Sequence, residues 1–524
     1  MVYKDIGKAE KAMNNYSISE YVQRMKDENL LIKCDIKGKE NQKITNLTYN
    51  SKEVSEGTLF VCKGAAFKEE YLEEAIKKGA ACYVSEKEYE TANQIPCIIV
   101  SDIRRAMPGL ASLFFHHPAT QLKITGIGGT KGKSTTAYYV KAIVDDYLFA
   151  QKQKESAVIS SIDVYDGVIR EESHITTPEN IELQKHFRNA LDSGISFVEM
   201  EVSSQALKYN RVDQIPFEVG IFLNISEDHI SPIEHPDFED YFSSKLKMFS
   251  QTNHALICTN SDYFERVEEA AKNAKTVLTF GTKAGSDIYG YDIHKVGHEI
   301  HFKVKCDRFD KEFVLTMPGL FNVENALAAI AAAYVYQIPY EYMYSGLKRA
   351  RSSGRMESFA SKDNHVVAIV DYAHNKLSFE KLFDSTRQEY PEYDIISIFG
   401  CPGKKALIRR HDLGTIAGMY AKKVYLVAED PGEEPVEQIS KDIAQYVEAQ
   451  NCPYEMIEDR GTAIHKAIME CADKKEKTVL LITGKGNETR QKYGRQYLDC
   501  TSDVDYVKQY LKEYEESMQK RKDK

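Results

Sequence analysis

The sequence predicts an α/β protein with three domains, of which the central and C-terminal ones contain parallel β-sheets. Apolar stretches of strand length alternate with stretches of helix length, most regularly in the last third of the chain. This alternation favours parallel sheets that are covered by helices. A glycine-rich turn near residue 129 separates one such strand from the helix after it. The length of 524 residues gives room for about three domains of ordinary size.

The first predicted domain covers residues 1–121. Residues 57–62 and 81–84 are strand candidates, and residues 69–78 between them are a helix candidate. Pro118 and the polar residues after it are typical of a linker. We therefore expect a small α/β domain that ends at this linker.

The second predicted domain covers residues 122–350 and contains the glycine-rich turn. A strand candidate at 122–124 precedes the turn, and a helix candidate at 134–148 follows it. Further strand candidates lie at 197–202 and 219–225, and an alanine-rich helix candidate lies near the end of the range. This order predicts a parallel sheet of the P-loop ATPase type.

The third predicted domain covers residues 351–524. Its strand candidates are residues 366–370, 394–399, 423–427 and 478–482. Polar turns follow three of these strands, at the edge where doubly wound sheets bind their ligands. We therefore expect a C-terminal Rossmann-like, doubly wound sheet with a ligand at these turns.

Composition and charge favour a protein of a reducing compartment. The 79 acidic residues exceed the 69 basic ones, and the net charge of −10 argues against nucleic acid as a partner. The N-terminus lacks a secretion-signal pattern, and the most apolar helix candidate, residues 326–336, is too short to span a bilayer. The ten cysteines form no C-x-x-C pair, which is typical of buried thiols. We therefore expect a cytoplasmic protein without membrane insertion.

The glycine-rich turn predicts a binding site for a nucleoside triphosphate. It reads Gly129-Thr130-Lys131-Gly132-Lys133-Ser134-Thr135. Its glycines allow backbone N–H groups to approach phosphate oxygens, and the N-terminus of the following helix adds partial positive charge. Lys133 is placed to reach the β- and γ-phosphates, and the Ser134 hydroxyl to bind Mg²⁺. Ile127 stands where the strict P-loop pattern has its first glycine, so a glycine-rich turn without a ligand is the alternative.

Polar side chains at two later strand ends predict a magnesium site beside this loop. Glu201, Ser203 and Ser204 end one strand candidate, and His229 follows the next one. A lone histidine is more often structural than a metal ligand, but Mg²⁺ prefers oxygen ligands and two polar strand ends beside a phosphate loop favour metal binding. By composition alone, Lys245 would be a surface lysine.

Seven segments in order resemble the Mur ligase family, whose members extend the peptide of the bacterial cell-wall precursor with ATP. They are residues 50–52 with 57–61, 129–135, 176–178, 201–204, 322–325, 354–357 and 370–374. The phosphate loop, for example, resembles the family's Gly-Thr-Asn-Gly-Lys-Thr-Thr. The resemblance covers nearly the whole chain, and it is strongest to the MurE type, which adds the third amino acid of the peptide.

The resemblance implies three groups of binding residues. The ATP site would comprise residues 129–135 with Asn322, Arg355 and Asp371. The N-terminal domain would bind the UDP-linked muramyl substrate through Ser51, and the substrate would also contact Thr176, Thr177, Ser203 and Arg211 of the central domain. Two Mg²⁺ ions would be bound by Ser134, Glu201, His229 and a carbamylated Lys245. Carbamylation needs a neutral amine, so we expect Lys245 to be desolvated.

The resemblance also implies the reaction. ATP would phosphorylate the side-chain carboxylate of D-glutamate in a UDP-muramyl dipeptide, and the amino group of the incoming amino acid would attack the acyl phosphate. Catalysis would rest on positioning and charge neutralisation by Lys133, Glu201, His229, Lys245 and two magnesium ions. The predicted protein is therefore an ADP-forming amide-bond ligase of peptidoglycan precursor synthesis, and we expect a monomer.

The loop that selects the amino acid in this family departs from one known pattern. Enzymes that add meso-diaminopimelate carry Asp-Asn-Pro-Arg there, and the arginine pairs with the distal carboxylate. Residues 428–435 read Ala-Glu-Asp-Pro-Gly-Glu-Glu-Pro, with four acids and no arginine, which favours the distal ammonium of L-lysine. Arg409 or Lys405 could pair with a carboxylate instead, so meso-diaminopimelate is the alternative. The predicted amino-acid site comprises Lys405, Asp430, Glu433, Gly484 and Glu488.

Three other functions remain open at this stage. A folylpolyglutamate synthase would share the last two domains but would not need the segment at 50–61. A regulatory protein that only binds nucleotide would not need Glu201, Lys245 and Asp371 together. A MurE-like paralogue that acts on another muramyl or glutamyl substrate is the hardest alternative to distinguish by sequence.

Overall fold

The computed structural model describes residues 15–64, 67–173, 175–227, 230–231, 234–297, 299–405 and 407–522. Among these residues the strands form three α/β sheets and one separate hairpin, which confirms the predicted fold class. In this described part of the chain, no helix is both long enough and apolar enough to cross a membrane. The domain boundaries at residues 121 and 350 stay a prediction.

The first sheet has five strands and is covered by helices on both faces. Its strands are β1 (Leu31–Asp35), β2 (Asn46–Thr48), β3 (Thr58–Val61), β4 (Ala80–Ser85) and β5 (Cys97–Val100). Its helices are α1 (Ile18–Asp27), α2 (Glu69–Lys77) and α3 (Ile103–Phe114). The strand order is β1-β5-β4-β3-β2, and β1 alone runs antiparallel to its neighbour. The elements β3, α2 and β4 lie where the sequence predicts them.

The central sheet has the strand order β16-β15-β14-β13-β12-β11-β6-β10-β7-β8-β9. Its strands are β6 (Lys123–Gly128), β7 (Ala157–Ile159), β8 (Asp163–Tyr165), β9 (Arg170–Glu172), β10 (Phe197–Glu201), β11 (Phe217–Phe222), β12 (Thr252–Cys258), β13 (Thr276–Gly281), β14 (Ile288–Val296), β15 (Glu299–Lys305) and β16 (Asp310–Leu315). Its helices are α4 (Lys133–Ala150), α5 (Asn180–Asp192), α6 (Ser204–Lys208), α7 (Phe238–Leu246), α8 (Phe264–Ala271), α9 (Asn322–Val335) and α10 (Tyr340–Arg349). The seven strands from β14 to β7 in this order are parallel, and the outer ones are antiparallel.

The C-terminal sheet has the strand order β17-β18-β22-β19-β20-β21, and β17 alone is antiparallel. Its strands are β17 (Glu357–Ala360), β18 (Val366–Asp371), β19 (Asp394–Phe399), β20 (Lys423–Leu426), β21 (Tyr454–Met456) and β22 (Thr478–Thr483), and the hairpin is β23 (Arg490–Tyr493) with β24 (Gln496–Asp499). Its helices are α11 (Lys376–Glu389), α12 (Ile408–Tyr420), α13 (Val436–Glu448), α14 (Arg460–Glu470) and α15 (Asp503–Lys522).

The strand β6 lies between β10 and β11 and aligns their carboxyl ends with the glycine-rich turn. Glu201 pairs in register with Ile127, and Phe222 pairs with Gly128. The expected strand at 219–225 ends earlier, at Phe222, because the chain then leaves the sheet to bond with the turn: Asn224 accepts a hydrogen bond from the Thr130 amide. Three strand ends therefore meet at one edge of the central sheet, where ligands of parallel sheets bind.

Candidate active site

The phosphate loop is the turn between β6 and α4, and its glycines are required by its conformation. Gly129 and Gly132 have φ angles of 136° and 89°, which disfavour any other residue. A Cβ atom at Gly132 would lie 2.3 Å from Oδ1 of Asn325. The Lys131 amide donates a 2.9 Å hydrogen bond to Oδ1 of Asn224, which fixes the loop against the end of β11.

Lys133 lies on this loop, as its predicted role requires. Its ammonium donates hydrogen bonds to the carbonyl oxygens of Gly129 at 3.1 Å and Thr130 at 3.0 Å. The side chain lines a cleft whose volume is about 330 Å³. The predicted phosphate-binding lysine therefore faces a cleft beside the loop.

Oxygen atoms of Glu201, Ser134 and Ser161 form a compact group at the sheet edge. Glu201 is 1% exposed, and its Oε1 accepts hydrogen bonds from the amide and hydroxyl of Ser161 at 2.8 and 3.1 Å. The hydroxyls of Ser161 and Ser134 lie 3.1 Å apart. A carboxylate beside hydroxyls fits the oxygen preference of Mg²⁺. Sequence reasoning missed Ser161, because it follows a three-residue strand and belongs to no recognised motif.

Lys245 is buried beside the phosphate loop and is not the surface lysine that composition suggests. It is 3% exposed, and its ammonium donates a 2.8 Å hydrogen bond to the Gly129 carbonyl. The same atom lies 4.7 Å from the centre of the Tyr241 ring. This desolvated position is the environment that carbamylation requires. His229, the other predicted ligand of the second Mg²⁺, lies outside the described residues.

Arg355 brings the C-terminal part of the chain to the phosphate loop. Its Nη2 donates 3.4 Å hydrogen bonds to the hydroxyls of Ser134 and Ser161. Its guanidinium lies 4.3 Å from the centre of the Tyr372 ring, which supports the charge by a cation–π contact. A cation in this position can meet the negative charge of a bound triphosphate.

Asp371 is the end of β18 and faces the same cleft. Its carboxylate accepts hydrogen bonds from the amides of Met356 at 2.8 Å and Ala373 at 2.7 Å. Burial raises the pKa of Asp371 above its usual range, although the Arg355 charge opposes that shift. The hydrogen bonds from the two backbone amides orient the carboxylate. The cleft that it faces lies between the central and C-terminal sheets.

The cleft is lined by residues of both sheets and of the helices α9 and α11. Besides the residues above, its lining comprises Thr176, Asn224, Phe321, Glu324, Asn325, His374, Ser378, Lys381 and Leu382. Asn322 does not line the cleft: it is fully buried, donates to the Pro318 carbonyl at 2.7 Å and accepts from Asn325 at 2.9 Å. The predicted adenine contact of Asn322 stays a prediction, and Asn325 is the described neighbour that reaches the cleft.

The predicted muramyl-binding residues of the central sheet lie together. Thr177 donates a 2.9 Å hydrogen bond to the Glu201 carbonyl and accepts one from the Ser203 amide at 3.0 Å. Arg211 donates to the Thr177 carbonyl at 3.3 Å. Thr176 lines the cleft, so these side chains extend from the phosphate loop towards the first sheet.

Ser51 lies apart from that group, in the short 3-10 helix Ser51–Glu53 that follows β2 of the first sheet. Its hydroxyl donates a 2.6 Å hydrogen bond to Glu74. The first and central units meet at Glu179, whose carboxylate pairs with Lys63 at 2.6 Å and with Arg211 at 2.9 Å. A substrate that contacts both Ser51 and Arg211 would therefore span this junction, and these contacts stay predictions.

Three of the four acids in the amino-acid loop are held by cations. Asp430 pairs with Lys485 at 3.0 Å, and the same lysine pairs with Glu488. The exposed Glu433 pairs with Lys404 at 3.2 Å and Arg495 at 2.9 Å, and Arg410 binds Glu434 through two 2.8 Å hydrogen bonds. Lys405 is exposed. Of the predicted amino-acid residues, Asp430, Glu488 and Gly484 lie at the sheet edge, whereas Lys405 and Glu433 face solvent.

Glu429, which the sequence did not single out, is the buried acid of this loop. It is 8% exposed, follows the end of β20, and lies beside the turns that follow β19 and β22. A Cβ atom at Gly400 would lie 2.9 Å from the Cβ of Glu429, and one at Gly484 would lie 2.2 Å from its Oε2. Burial raises the pKa of Glu429 to about 7, against the opposing charges of Arg460, Arg409 and Lys485. Once it is ionised, above about pH 7, this carboxylate can pair with a cationic ligand group.

Comparison with known proteins connects this geometry with one family. A model of the Mur ligase middle domain matches residues 127–333, and a model of the Mur ligase glutamate ligase domain matches residues 354–486. The UDP-N-acetylmuramoyl-L-alanyl-D-glutamate–L-lysine ligase of Enterococcus faecalis is 36% identical over 457 residues, which are 86% of this chain and 88% of that protein. This chain belongs to the Mur ligase family.

This Mur ligase is similar to proteins with two different amino-acid specificities. The UDP-N-acetylmuramoyl-L-alanyl-D-glutamate–2,6-diaminopimelate ligase of Clostridioides difficile is 35% identical over 88% of this chain and 94% of its own. A solved structure of a 2,6-diaminopimelate ligase shares the fold with a TM-score of 0.64, at 22% identity over 91% of this chain and 97% of that one. The Mur ligases are ATP-dependent, ADP-forming ligases that use Mg²⁺, so the predicted family and enzyme class are confirmed.

Proposed function

We propose that this Mur ligase joins an amino acid to the D-glutamate of UDP-N-acetylmuramoyl-L-alanyl-D-glutamate, with release of ADP and phosphate. The observation that carries the proposal is that one cleft joins the phosphate loop, the Glu201 group and Arg355, while the polar edge of the C-terminal sheet continues from Asp371. Relatives that bear this activity in their names align with most of the chain.

The site residues divide the work of phosphoryl transfer. Lys133 and the loop amides would neutralise the transferring phosphoryl group, and Arg355 would meet its charge from the other side. Ser134 and Glu201 would bind one Mg²⁺, and a carbamylated Lys245 would bind a second with Glu201 and His229. The metal ions would supply charge neutralisation, and Thr176, Thr177, Ser203 and Arg211 would hold the muramyl substrate so that its glutamate faces the phosphate loop.

We further propose that the incoming amino acid is L-lysine and that its distal ammonium binds Glu429. Asp430 and Glu433 were the expected partners, but both are already held by cations. Glu429 is buried beside Gly484, where a ligand can approach closely because no side chain intervenes. Gly432 follows Pro431 and so occupies the position of the arginine in the Asp-Asn-Pro-Arg motif. The φ angle of Gly432 is 58°, a left-handed conformation that disfavours an arginine at this position. We also propose that the enzyme is a cytoplasmic monomer.

Phosphate release tests this function directly. The enzyme should release phosphate with ATP, Mg²⁺, UDP-N-acetylmuramoyl-L-alanyl-D-glutamate and L-lysine, and the matched substrate without D-glutamate should give none. A panel with meso-diaminopimelate, L-ornithine and L-alanine then ranks the acceptor. A higher kcat/KM for meso-diaminopimelate would assign the cations of the 404–410 loop to the substrate. No release with any amino acid would favour a paralogue with another substrate or a nucleotide-binding protein without this activity.

A further inference from the structure

A partly buried chain of hydrogen bonds beside the proposed site connects α6 to α7. The Ser204 hydroxyl lies 2.9 Å from Nε2 of His235, and Nδ1 of His235 lies 2.6 Å from Oδ2 of Asp240. The same carboxylate oxygen accepts a 2.6 Å hydrogen bond from Lys208. We call Ser204, His235, Asp240 and Lys208 the His235 network. Of these four residues, only Ser204 was named above, as a hydroxyl at the end of a strand candidate, and the proposed function assigns a role to none of them.

A serine, a histidine and an aspartate bonded in this order also occur in nucleophilic catalytic triads. Here the burial of the serine and the histidine excludes nucleophilic catalysis. Ser204 is 4% exposed and His235 is fully buried, so a carbonyl substrate has no access to the hydroxyl. The hydrogen bond from Lys208, with that from His235, holds the pKa of Asp240 below its usual range, so Asp240 stays an anion. The network is therefore a charged, fully connected contact between two helices.

The two helices that the network joins carry residues of the proposed site. α6 begins directly after Ser203, whose hydroxyl accepts a hydrogen bond from the Ala206 amide and caps it. α7 carries Lys245 as well as Asp240. A displacement of α7 relative to α6 would therefore move Lys245 away from the muramyl-binding residues.

Tyr241 connects the His235 network to the phosphate loop. Its ring makes an edge contact with His235 at 5.2 Å, and its hydroxyl lies 3.0 Å from that of Thr130. Tyr241 and Lys245 are four residues apart on α7 and therefore share one helix face. His235 thus contacts both ends of the connection, Ser204 on α6 and Tyr241 on α7.

We propose that His235 is a positioning residue of the ligase reaction, which holds α7 against α6 so that Lys245 stays at the phosphate loop. This proposal rests on the proposed function, because it gives Lys245 a role in metal binding. A displacement of a reacting group by about 1 Å can lower the rate by about a hundredfold, so a residue distant from the chemistry can control kcat.

The test compares His235→Gln and Ser204→Ala with a matched control, His186→Asn. His186 is also a buried histidine of the central unit, and its Nδ1 lies 2.7 Å from an Asp166 carboxylate oxygen. Among the described residues, its side chain makes no hydrogen bond or ion pair with α7 or the phosphate loop. We expect His235→Gln to lower kcat by about tenfold or more while KM for ATP changes by less than about threefold. Ser204→Ala, which removes one hydroxyl, should change kcat in the same direction by a smaller factor.

The control separates positioning from stability. His186→Asn should lower Tm without lowering kcat by more than about twofold. A folded His235→Gln enzyme with unchanged kcat would overturn the proposal, and so would an equal loss of kcat in both histidine variants at equal loss of Tm. If His235→Gln does not fold, an unchanged kcat in Ser204→Ala overturns it.

A second measurement does not depend on turnover. In CO₂-depleted buffer, where a carbamate on Lys245 would dissociate in all three proteins, amine-reactive labelling followed by mass spectrometry should modify Lys245 about threefold faster in His235→Gln, relative to the buried Lys141, than in the wild type or His186→Asn. Equal labelling in all three proteins would contradict the positioning role. A wild-type enzyme that releases no phosphate while this labelling difference is present would overturn the proposed function and leave the positioning of α7 supported.

Discussion

The guanidinium of Arg355 lies 3.4 Å from the hydroxyl of Ser134. Ser134 belongs to the first turn of α4, whereas Arg355 precedes the first strand of the C-terminal sheet. The contact places a cation of the C-terminal unit at the residue that is proposed to bind Mg²⁺. The approach of the two units is therefore part of the nucleotide site, because neither contains both groups.

Substitution of Lys133 tests the phosphate loop. Lys133→Ala should lower the rate of phosphate release by at least about a hundredfold, because the lost charge would stabilise the transferring phosphoryl group. The circular dichroism spectrum and Tm should stay close to those of the wild type. Activity within a few-fold of the wild type would remove Lys133 from the mechanism.

Substitution of Lys245 tests its carbamylation. Lys245→Ala should lose activity and regain part of it when short-chain carboxylic acids are added, because a carboxylate can replace the carbamate. Lys141→Ala is the control: this buried lysine pairs with Asp145 at 2.8 Å, away from the phosphate loop, and its variant should show no such rescue. Mass spectrometry that finds only the free amine in active enzyme would contradict the carbamate.

Substitution of Glu429 tests the selection of lysine. Glu429→Gln should lower kcat/KM for L-lysine by about ten- to a hundredfold, because a buried carboxylate–ammonium contact contributes about 1.5–3 kcal/mol. Glu433→Gln removes an acid of the same loop that is exposed and ion-paired, so its kcat/KM should stay within about twofold. A larger loss in Glu433→Gln than in Glu429→Gln would assign the ammonium to the surface acid instead.

The raised pKa of Glu429 predicts a pH dependence. Because this pKa is about 7 instead of 4.5, the carboxylate becomes anionic only as the pH rises through about 7, so kcat/KM for L-lysine should rise there. The folded state also binds this proton more tightly than the unfolded state. The contribution of this proton to the free energy of unfolding is therefore complete below about pH 4.5 and is lost as the pH rises through about 7. Glu429→Gln should therefore lack this step in kcat/KM and lose less Tm between about pH 5 and pH 8 than the wild type.

Substitution of Gly132 tests the shape of the phosphate loop. Gly132→Ala should raise KM for ATP by about tenfold or more, for two reasons. Alanine is strained in the left-handed backbone conformation of this position, and its Cβ would clash with the side chain of Asn325. Gly285 has a similar φ of 97° with no atom within 4 Å of an added Cβ. Gly285→Ala should therefore cost about 1 kcal/mol of stability and leave KM for ATP unchanged. Equal effects of the two substitutions on KM would show that the loop tolerates the clash.

Sequence reasoning succeeded where a feature depends on neighbouring residues. The strand expected at 394–399 has the observed bounds of β19, and the glycine-rich turn lies between a strand and a helix as expected. It failed at Ser161, which no motif marks, and at the end of β11, where bonds to the phosphate loop draw the chain out of the sheet. These features depend on which distant segments meet.

The sequence by itself determined the alternation of strands and helices, the phosphate loop and the family. Periodicity, the positions of glycines and the order of motifs can all be read along the chain without knowing which segments meet in space. Only the tertiary structure decided which acid of the 428–435 loop is buried. Glu429 owes its raised pKa to burial at the meeting of β19, β20 and β22, whose ends supply Gly400, Glu429 and Gly484. These three residues belong to separate segments of the chain, and desolvation by their meeting cannot be read from any one segment alone.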